Sequence, residues 1–249
     1  PPYSGISSNI NEWTEKLLKQ DLDGAQSYYK VDNKPLGEKK VWLQDDYVKF
    51  LRFAQWKIQK AGKGIVAMIT NHAYLDNPTF RGMRQSLLKT FDEIFILDLH
   101  GNSLKKETAP DGSKDENVFD IRTGVAIVLF IMHEKPRKQV TKYVDLFGVR
   151  DTKYKWLSTT KFDNTDYRNI TVNPPYYFFI PRDTSSIQHY VSWPKLSDIF
   201  PVNVTGIVTA RDSLAIDFDK AHLLTKVLTF QNKDFSDEFV KTAFNLSEN

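Results

Sequence analysis

The stretch from Gly64 to Gly101, GIVAMITNHAYLDNPTFRGMRQSLLKTFDEIFILDLHG, constrains the fold more than any other part of the chain. It reads as strand, helix, strand. Residues 65–70 form a short apolar run after a Gly-containing turn, the pattern of a strand buried on both faces. Thr79 stands where it can cap a helix that carries Phe80, Met83, Leu87 and Leu88 at helical spacing. Residues 94–99 form a second apolar run, followed by a polar loop. Two such strands joined by a helix predict a crossover unit of a parallel sheet, and so an α/β class. Ligands of such sheets bind beyond the carboxyl ends of the strands. Here those ends are Asn71-His72-Ala73-Tyr74 and His100-Gly101-Asn102.

The flanking segments extend this reading. An amphipathic helix is expected over residues 8–20, with Ile10, Trp13, Leu17 and Leu18 on one face. Residues 21–44 carry Gly24, Pro35 and Gly37 and read as a long loop, often a functional feature in a compact domain. Asp45 or Asp46 caps a helix running to about Lys60, with Tyr47, Leu51, Ala54 and Ile58 on its apolar face and Phe50 and Phe53 at its edges. Downstream, GVAIVLFIM at 124–132 is the strongest strand. Residues 138–147 alternate and suit an edge strand in a hairpin with it, through the Lys135-Pro136-Arg137 turn. A short helix is expected near 151–157. Past Gly148 the texture becomes aromatic and Pro-punctuated, with short strands expected at 176–181, 190–194, 204–209 and 214–218, and a helix at 234–244. A boundary is placed near residue 150.

A chain of 249 residues, 41% hydrophobic and 26% charged, is long enough for one large domain or two modest ones. No run approaches the roughly 18 apolar residues of a membrane span. PPYSG is not a signal peptide, and with no initiator Met the chain is expected to be a piece of a longer protein. Zero cysteines exclude disulfides and thiolate metal sites and fit a reducing, cytoplasmic setting. A net charge of +3 permits a nucleic-acid partner without requiring one.

Several side chains are candidates for chemistry. Arg81 and Arg84, three apart on the central helix, suit phosphates or a solvated face. Lys105, Lys106 and Lys114 lie in the loop after the second central strand, where a DNA clamp is reasonable, although Asp111, Asp115 and Glu116 weaken the local field. The five histidines, 72, 100, 133, 189 and 222, show no metal spacing, and no metal is expected. His72 and His100 follow strands, and structural roles are favoured for both. In the second unit Arg182, Lys195, Asn203 and Arg211 are polar groups among aromatics, as direct base reading requires.

The segments PPYSG (1–5), DDYVKFLRFAQ (45–55), GIVAMITNHAYLDNPTFRGMRQSLL (64–88), FDEIFILDLHGN (91–102), DGSKDENVFDIRTGVAIVLF (111–130) and TGIVTARDSLAIDFD (205–219) together touch most of the chain. In this order they resemble adenine-N6 DNA methyltransferases of the gamma type, as found in single-polypeptide (type ISP-like) restriction–modification enzymes. NVFDI ahead of an apolar strand is the most distinctive segment.

The resemblance implies that residues 1–148 are the C-terminal half of a Rossmann-like methyltransferase sheet. It implies that 149–249 begin a mixed, mainly β target-recognition unit. It also implies S-adenosylmethionine as cofactor, with its Gly-rich loop upstream of this chain, and double-stranded DNA and the upstream part of the same polypeptide as partners. Gly62-Lys63-Gly64 reads as a turn, not as that loop. The family motif is Asn/Asp-Pro-Pro-Tyr/Phe, and the chain starts at its first proline. By resemblance Pro1 and Pro2 shape the catalytic loop, Tyr3 stacks on a flipped adenine, and Phe119 is the second aromatic wall. A complete Asn173-Pro174-Pro175-Tyr176 lies downstream, but it runs on into an apparent strand, whereas Tyr3 is followed by further strand and helix units, so the first triplet is favoured. Two alternatives stay open: a DNA-recognition module without chemistry, and a protein glutamine methyltransferase, which shares the motif.

Overall fold

The computed structural model describes residues 5–7, 10–38, 40–202, 206, 209 and 211–246, which form two compact units, 1–184 and 185–249. Pro1, Pro2, Tyr3 and Asn203 lie outside the described residues.

The first unit opens with α1 (Glu12–Lys19), shorter than expected because Asn11 and Thr14 close a reciprocal capping box. The expected long loop contains a small hairpin of β1 (Lys30–Val31) and β2 (Lys34–Pro35). Its turn residues Asp32 and Asn33 both take left-handed φ (48° and 60°), as a two-residue hairpin requires. Helix α2 (Asp46–Ala61) is capped by Asp45 and ends on Gly62 at φ 76°. Beyond the expected apolar face, α2 buries Arg52, whose guanidinium donates to the carbonyls of Leu17, Gln20 and Ala25 and ties α1 and the following turn to α2. Burial lowers the pKa of this guanidinium.

The central unit forms as strand β3 (Gly64–Asn71), helix α3 (Arg81–Thr90) and strand β4 (Glu93–Asp98). The cap differs from expectation. Asn77 accepts the Thr79 N–H (3.0 Å) and starts a 3-10 turn over Pro78–Phe80, while the Thr79 hydroxyl donates to Glu38. Phe80, Met83 and Leu87 are buried as their spacing requires.

The remaining strands are β5 (Val125–Met132) and β6 (Val140–Asp145), followed by α4 (Arg150–Thr159) and β7 (Arg168–Asn169). The sheet order is β3-β5-β4-β6-β7. The expected hairpin between β5 and β6 is not formed. Strand β5 lies antiparallel between β3 and β4, and β6 runs parallel to β4 on the far side. A strand apolar on both faces is most stable with both edges paired, and VAIVLFIM occupies that place. The connection passes the start of β4, where the Asp92 carboxylate accepts the N–H groups of His133 (2.7 Å) and Arg137 (3.0 Å) and the Asp92 carbonyl accepts that of Val140. Strand β3 in turn is not buried on both faces. It pairs with β5 alone among the described strands, and Ile65 is 62% exposed.

Side chains of β4 alternate across the sheet. Ile94 and Ile96 join the core built by α2 and α3, and Leu97 and Leu99 join a second cluster with Val118, Phe119, Trp156 and Leu157. The compact unit runs past residue 150 because later residues complete it. β7 pairs with β6, Phe179 is fully buried against Tyr74, and Lys153 of α4 is fully buried. Residues 176–181 form a turn and coil rather than a strand.

The second unit, 185–249, contains α5 (Ile187–Val191), α6 (Leu196–Ile199), α7 (Asp212–Ala215), α8 (Lys220–Gln231) and α9 (Asp237–Ala243). The expected mainly β character is not found among its described residues, which hold no strand; of the strand expected at 204–209, residues 204, 205, 207 and 208 lie outside them. Its aromatics sit three and four apart, and those of α5 and α9 pair with rings just beyond the helix ends, His189 and Tyr190 with Trp193 and Phe239 with Phe235. No helix among the described residues is long and apolar enough to cross a membrane.

Candidate functional site

Beyond the carboxyl end of β4 the chain turns sharply, with His100 and Gly101 both at positive φ (53° and 78°). A Cβ at Gly101 would sit 2.4 Å from the Asn117 Cα, so glycine is needed where the two backbones cross. Asn117 fastens that crossing: its amide donates to the carbonyls of Gly101 and Thr123, and its oxygen accepts the Phe119 N–H. The NVFD segment is thereby anchored at the head of β4 and β5. Phe119 is half-buried and lines an open cavity of about 630 Å³ together with Ser103, Lys114, Asn117, Arg122 and Arg150.

Behind this cavity lies a buried polar network. His72 Nδ1 stands 3.0 Å from Asp98, and its Nε2 faces the Asn102 amide at 3.1 Å, which assigns the proton to Nδ1. His100 bridges Glu107 (2.8 Å) and Asp145 (2.9 Å) and stacks on Phe147. Burial by itself would lower the His100 pKa, but its bonds to Asp145 and Glu107 outweigh this and raise it to about 9. Glu107 loses stability from burial too, yet the same imidazolium brings its pKa down to about 2. Burial and the neighbouring Asp98 raise the Tyr143 phenol, which donates to Asp145 (2.6 Å). His72, Asp98 and His100 bring possible ligand atoms within 4.8 Å of one another. Their nitrogens are all directed at carboxylates or an amide, so the cluster acts as a latch joining β3, β4, β6 and the Asn102–Glu107 loop.

The sequence candidates separate. Phe119 and Lys114 reach the cavity. Lys114 pairs with Glu116 (2.5 Å), Lys105 with Asp76 (3.2 Å), and Lys106 is exposed beside it. Arg81 donates to the carbonyls of Pro78 and Leu36 and pins the chain before α2. Arg84 is no phosphate ligand: it is fully buried and donates to the carbonyls of Tyr74, Asn77 and Tyr176. Burial lowers its pKa to about 9. Arg211 belongs to the second unit, where its N–H donates to Thr209 just ahead of α7. The Asn173–Tyr176 segment is a turn within the first unit, not a strand start in the second, and Tyr176 stacks on Phe178.

Sequence reasoning passed over Asp98, Asp145, Arg150, Lys153 and Tyr154. The one available signal was an Asp closing each of two apolar runs, at the ends of β4 and β6. Gly62-Lys63-Gly64 makes no cofactor cradle. It lies at the amino end of β3, and a Cβ at Gly64 would meet the Ile58 side chain at 2.5 Å.

Among solved structures, the chain is similar to portions of DNA-bound restriction–modification enzymes. A nuclease-deletion mutant of the Type ISP restriction–modification enzyme LlaGI, in complex with a DNA substrate mimic, matches at 26% identity and TM-score 0.63, over 91% of this chain and 18% of that one. The ATP-dependent Type ISP enzyme LlaBIII bound to DNA matches at 27% and 0.58, over 76% and 13%. A DrdV–DNA complex matches at 28% and 0.55, over 78% and 20%. The chain thus spans a fifth or less of each of these three chains. No family model matches the sequence, and no curated protein matches it.

Proposed function

We propose that the chain is the base-binding part of a DNA adenine-N6 methyltransferase within a restriction–modification enzyme, with S-adenosylmethionine held by a preceding part of the same polypeptide. The observation that carries this reading is the place of Phe119. The one ring that resemblance assigns to a flipped base and that lies among the described residues lines an open cavity beyond the ends of β4 and β5. The likeness to enzymes solved on DNA supports the same substrate.

In this reading the target adenine leaves the duplex, at an energy of a few kcal/mol, and stacks on Phe119, which offsets about 1–3 kcal/mol. Its exocyclic amine is a poor nucleophile because the nitrogen lone pair is delocalised into the ring. Acceptors aimed at its N–H groups favour a tetrahedral nitrogen. The Pro1 carbonyl is one such acceptor, with Tyr3 opposite Phe119. Lys114 and Arg122 line the cavity, and they and the exposed Lys105 and Lys106 of the same loop meet the DNA backbone. The cofactor supplies the methyl group.

Incubating the full-length protein with genomic DNA and methyl-labelled S-adenosylmethionine tests this. Label in N6-methyladenine is expected. Label in protein and none in adenine would make it a glutamine methyltransferase. Sequence-specific DNA retention with no label would leave a recognition module, and a gel shift across salt separates that from phosphate-driven binding.

A further inference from the structure

Residues 116–119 form neither helix nor strand, yet each of their four carbonyls is bound by a side chain of α4. Lys153 Nζ donates to Glu116 O (2.7 Å), Arg150 Nε to Asn117 O (2.8 Å), the Tyr154 hydroxyl to Val118 O, and Arg150 Nη2 to Phe119 O (3.0 Å). Residues 150, 153 and 154 share one helical face by their i, i+3, i+4 spacing. The grip is reciprocal, since the Glu116 carboxylate accepts the Arg150 N–H at the start of α4 (3.0 Å). Lys153 also pairs with Asp115 (2.7 Å), both side chains fully buried, and donates to Leu99 O at the end of β4. Asp115 in turn accepts the N–H groups of Gly101 and Gly148.

We infer that α4 is the positioning element of the base-binding wall: Arg150, Lys153 and Tyr154 fix the backbone of 116–119 so that Phe119 faces the cavity. This rests on the reading of Phe119 as a wall for a flipped base. A loop in contact with solvent on its cavity side would otherwise sample several conformations, and the ring would lose the orientation stacking needs. Lys153 and Tyr154 act through the 116–119 backbone alone, whereas Arg150, which also lines the cavity, is assigned its positioning role by its bonds to the Asn117 and Phe119 carbonyls.

The test uses the full-length protein carrying Arg150→Met and Tyr154→Phe together, which leaves the buried Lys153–Asp115 pair in place, with rates compared at matched folded concentration. The methylated site is first located by sequencing the labelled genomic DNA. On a duplex with that site, kcat is expected to fall about tenfold while KM for DNA changes less than about twofold. Fluorescence of 2-aminopurine placed at the target should drop. A mismatch opposite the target makes extrusion easier, so most of the lost rate should return on that duplex. Equal losses on both duplexes, an unchanged kcat, or a rise in KM alone would overturn the positioning role. An absence of label with the wild-type protein would remove the methyltransferase reading and this inference with it, whereas label with unimpaired variant turnover removes the inference alone.

Discussion

Two segments of the first unit carry aromatic residues next to a constrained backbone, and they are held in opposite ways. At 173–176 the letters Asn-Pro-Pro-Tyr are complete, but the Tyr176 carbonyl is taken by the buried Arg84 and the Tyr176 ring lies on Phe178. Tyr177 is likewise engaged, with Gln85 donating to its hydroxyl. This turn is part of the scaffold that closes over Tyr74 and Leu75. At 116–119 the backbone is equally well fastened, by α4, but the Phe119 side chain lines the open cavity. Fastening the backbone therefore does not distinguish a site from a scaffold. What distinguishes them is that Phe119, while packed against the second core cluster, also lines a cavity large enough for a base.

The largest effect that can break this comparison is on stability. Lys153→Met leaves Asp115 buried without its ion-pair partner, and unfolding stability is expected to fall by about 3–5 kcal/mol in urea titrations. Arg84→Met should cost about 3 kcal/mol, since the carbonyls of Tyr74 and Tyr176 are left without the donor they have here and that of Asn77 loses one of two. A variant as stable as the wild type would mean that the 173–176 turn is not scaffold.

The histidine latch sharpens the comparison through pH. The His100 pKa is raised in the folded protein, so its contribution is complete below about pH 6.5. It is lost as pH rises through about 9. Between those limits stability should fall by an amount on the order of 2–3 kcal/mol, and His100→Gln should flatten the profile over that window. Glu107 acts at the other end: with its pKa lowered to about 2, its contribution is lost as pH falls toward that value.

The smallest effect concerns activity. Phe119→Ala should lower methyl transfer by about 5- to 150-fold, the equivalent of about 1–3 kcal/mol of lost stacking. Tyr176→Ala, assayed beside it at matched folded concentration, should change transfer less than about threefold. Reversal of that order would move the site to the downstream motif.

Much of the sheet was legible in the chain. Three apolar runs became β3, β4 and β5, and spacing placed Tyr47 and Leu51 of α2 and Met83 and Leu87 of α3 in the core, though not the buried Val48, Arg52 and Gln55 beside them. The pairing of β5 was not legible, because a run apolar on both faces states that it is central without stating which edges it meets. The mostly helical second unit was missed for a related reason: aromatic residues at three- and four-residue spacing also occur in short strands broken by prolines. Of the residues lining the candidate site, Phe119 was singled out by the resemblance, whereas Arg84 could not be told from a surface arginine.

The sequence by itself determined the α/β class, the carboxyl-end placement of the loop after β4, and the resemblance that assigns Phe119 its role. Only the tertiary structure decided which charged residues are structural. A charge's role depends on the partners that enclose it, and those partners come from far along the chain, as Tyr176 does for Arg84 from 92 positions away. Local periodicity reports which face of an element is buried, but carries no record of which distant carbonyl or carboxylate will meet it there.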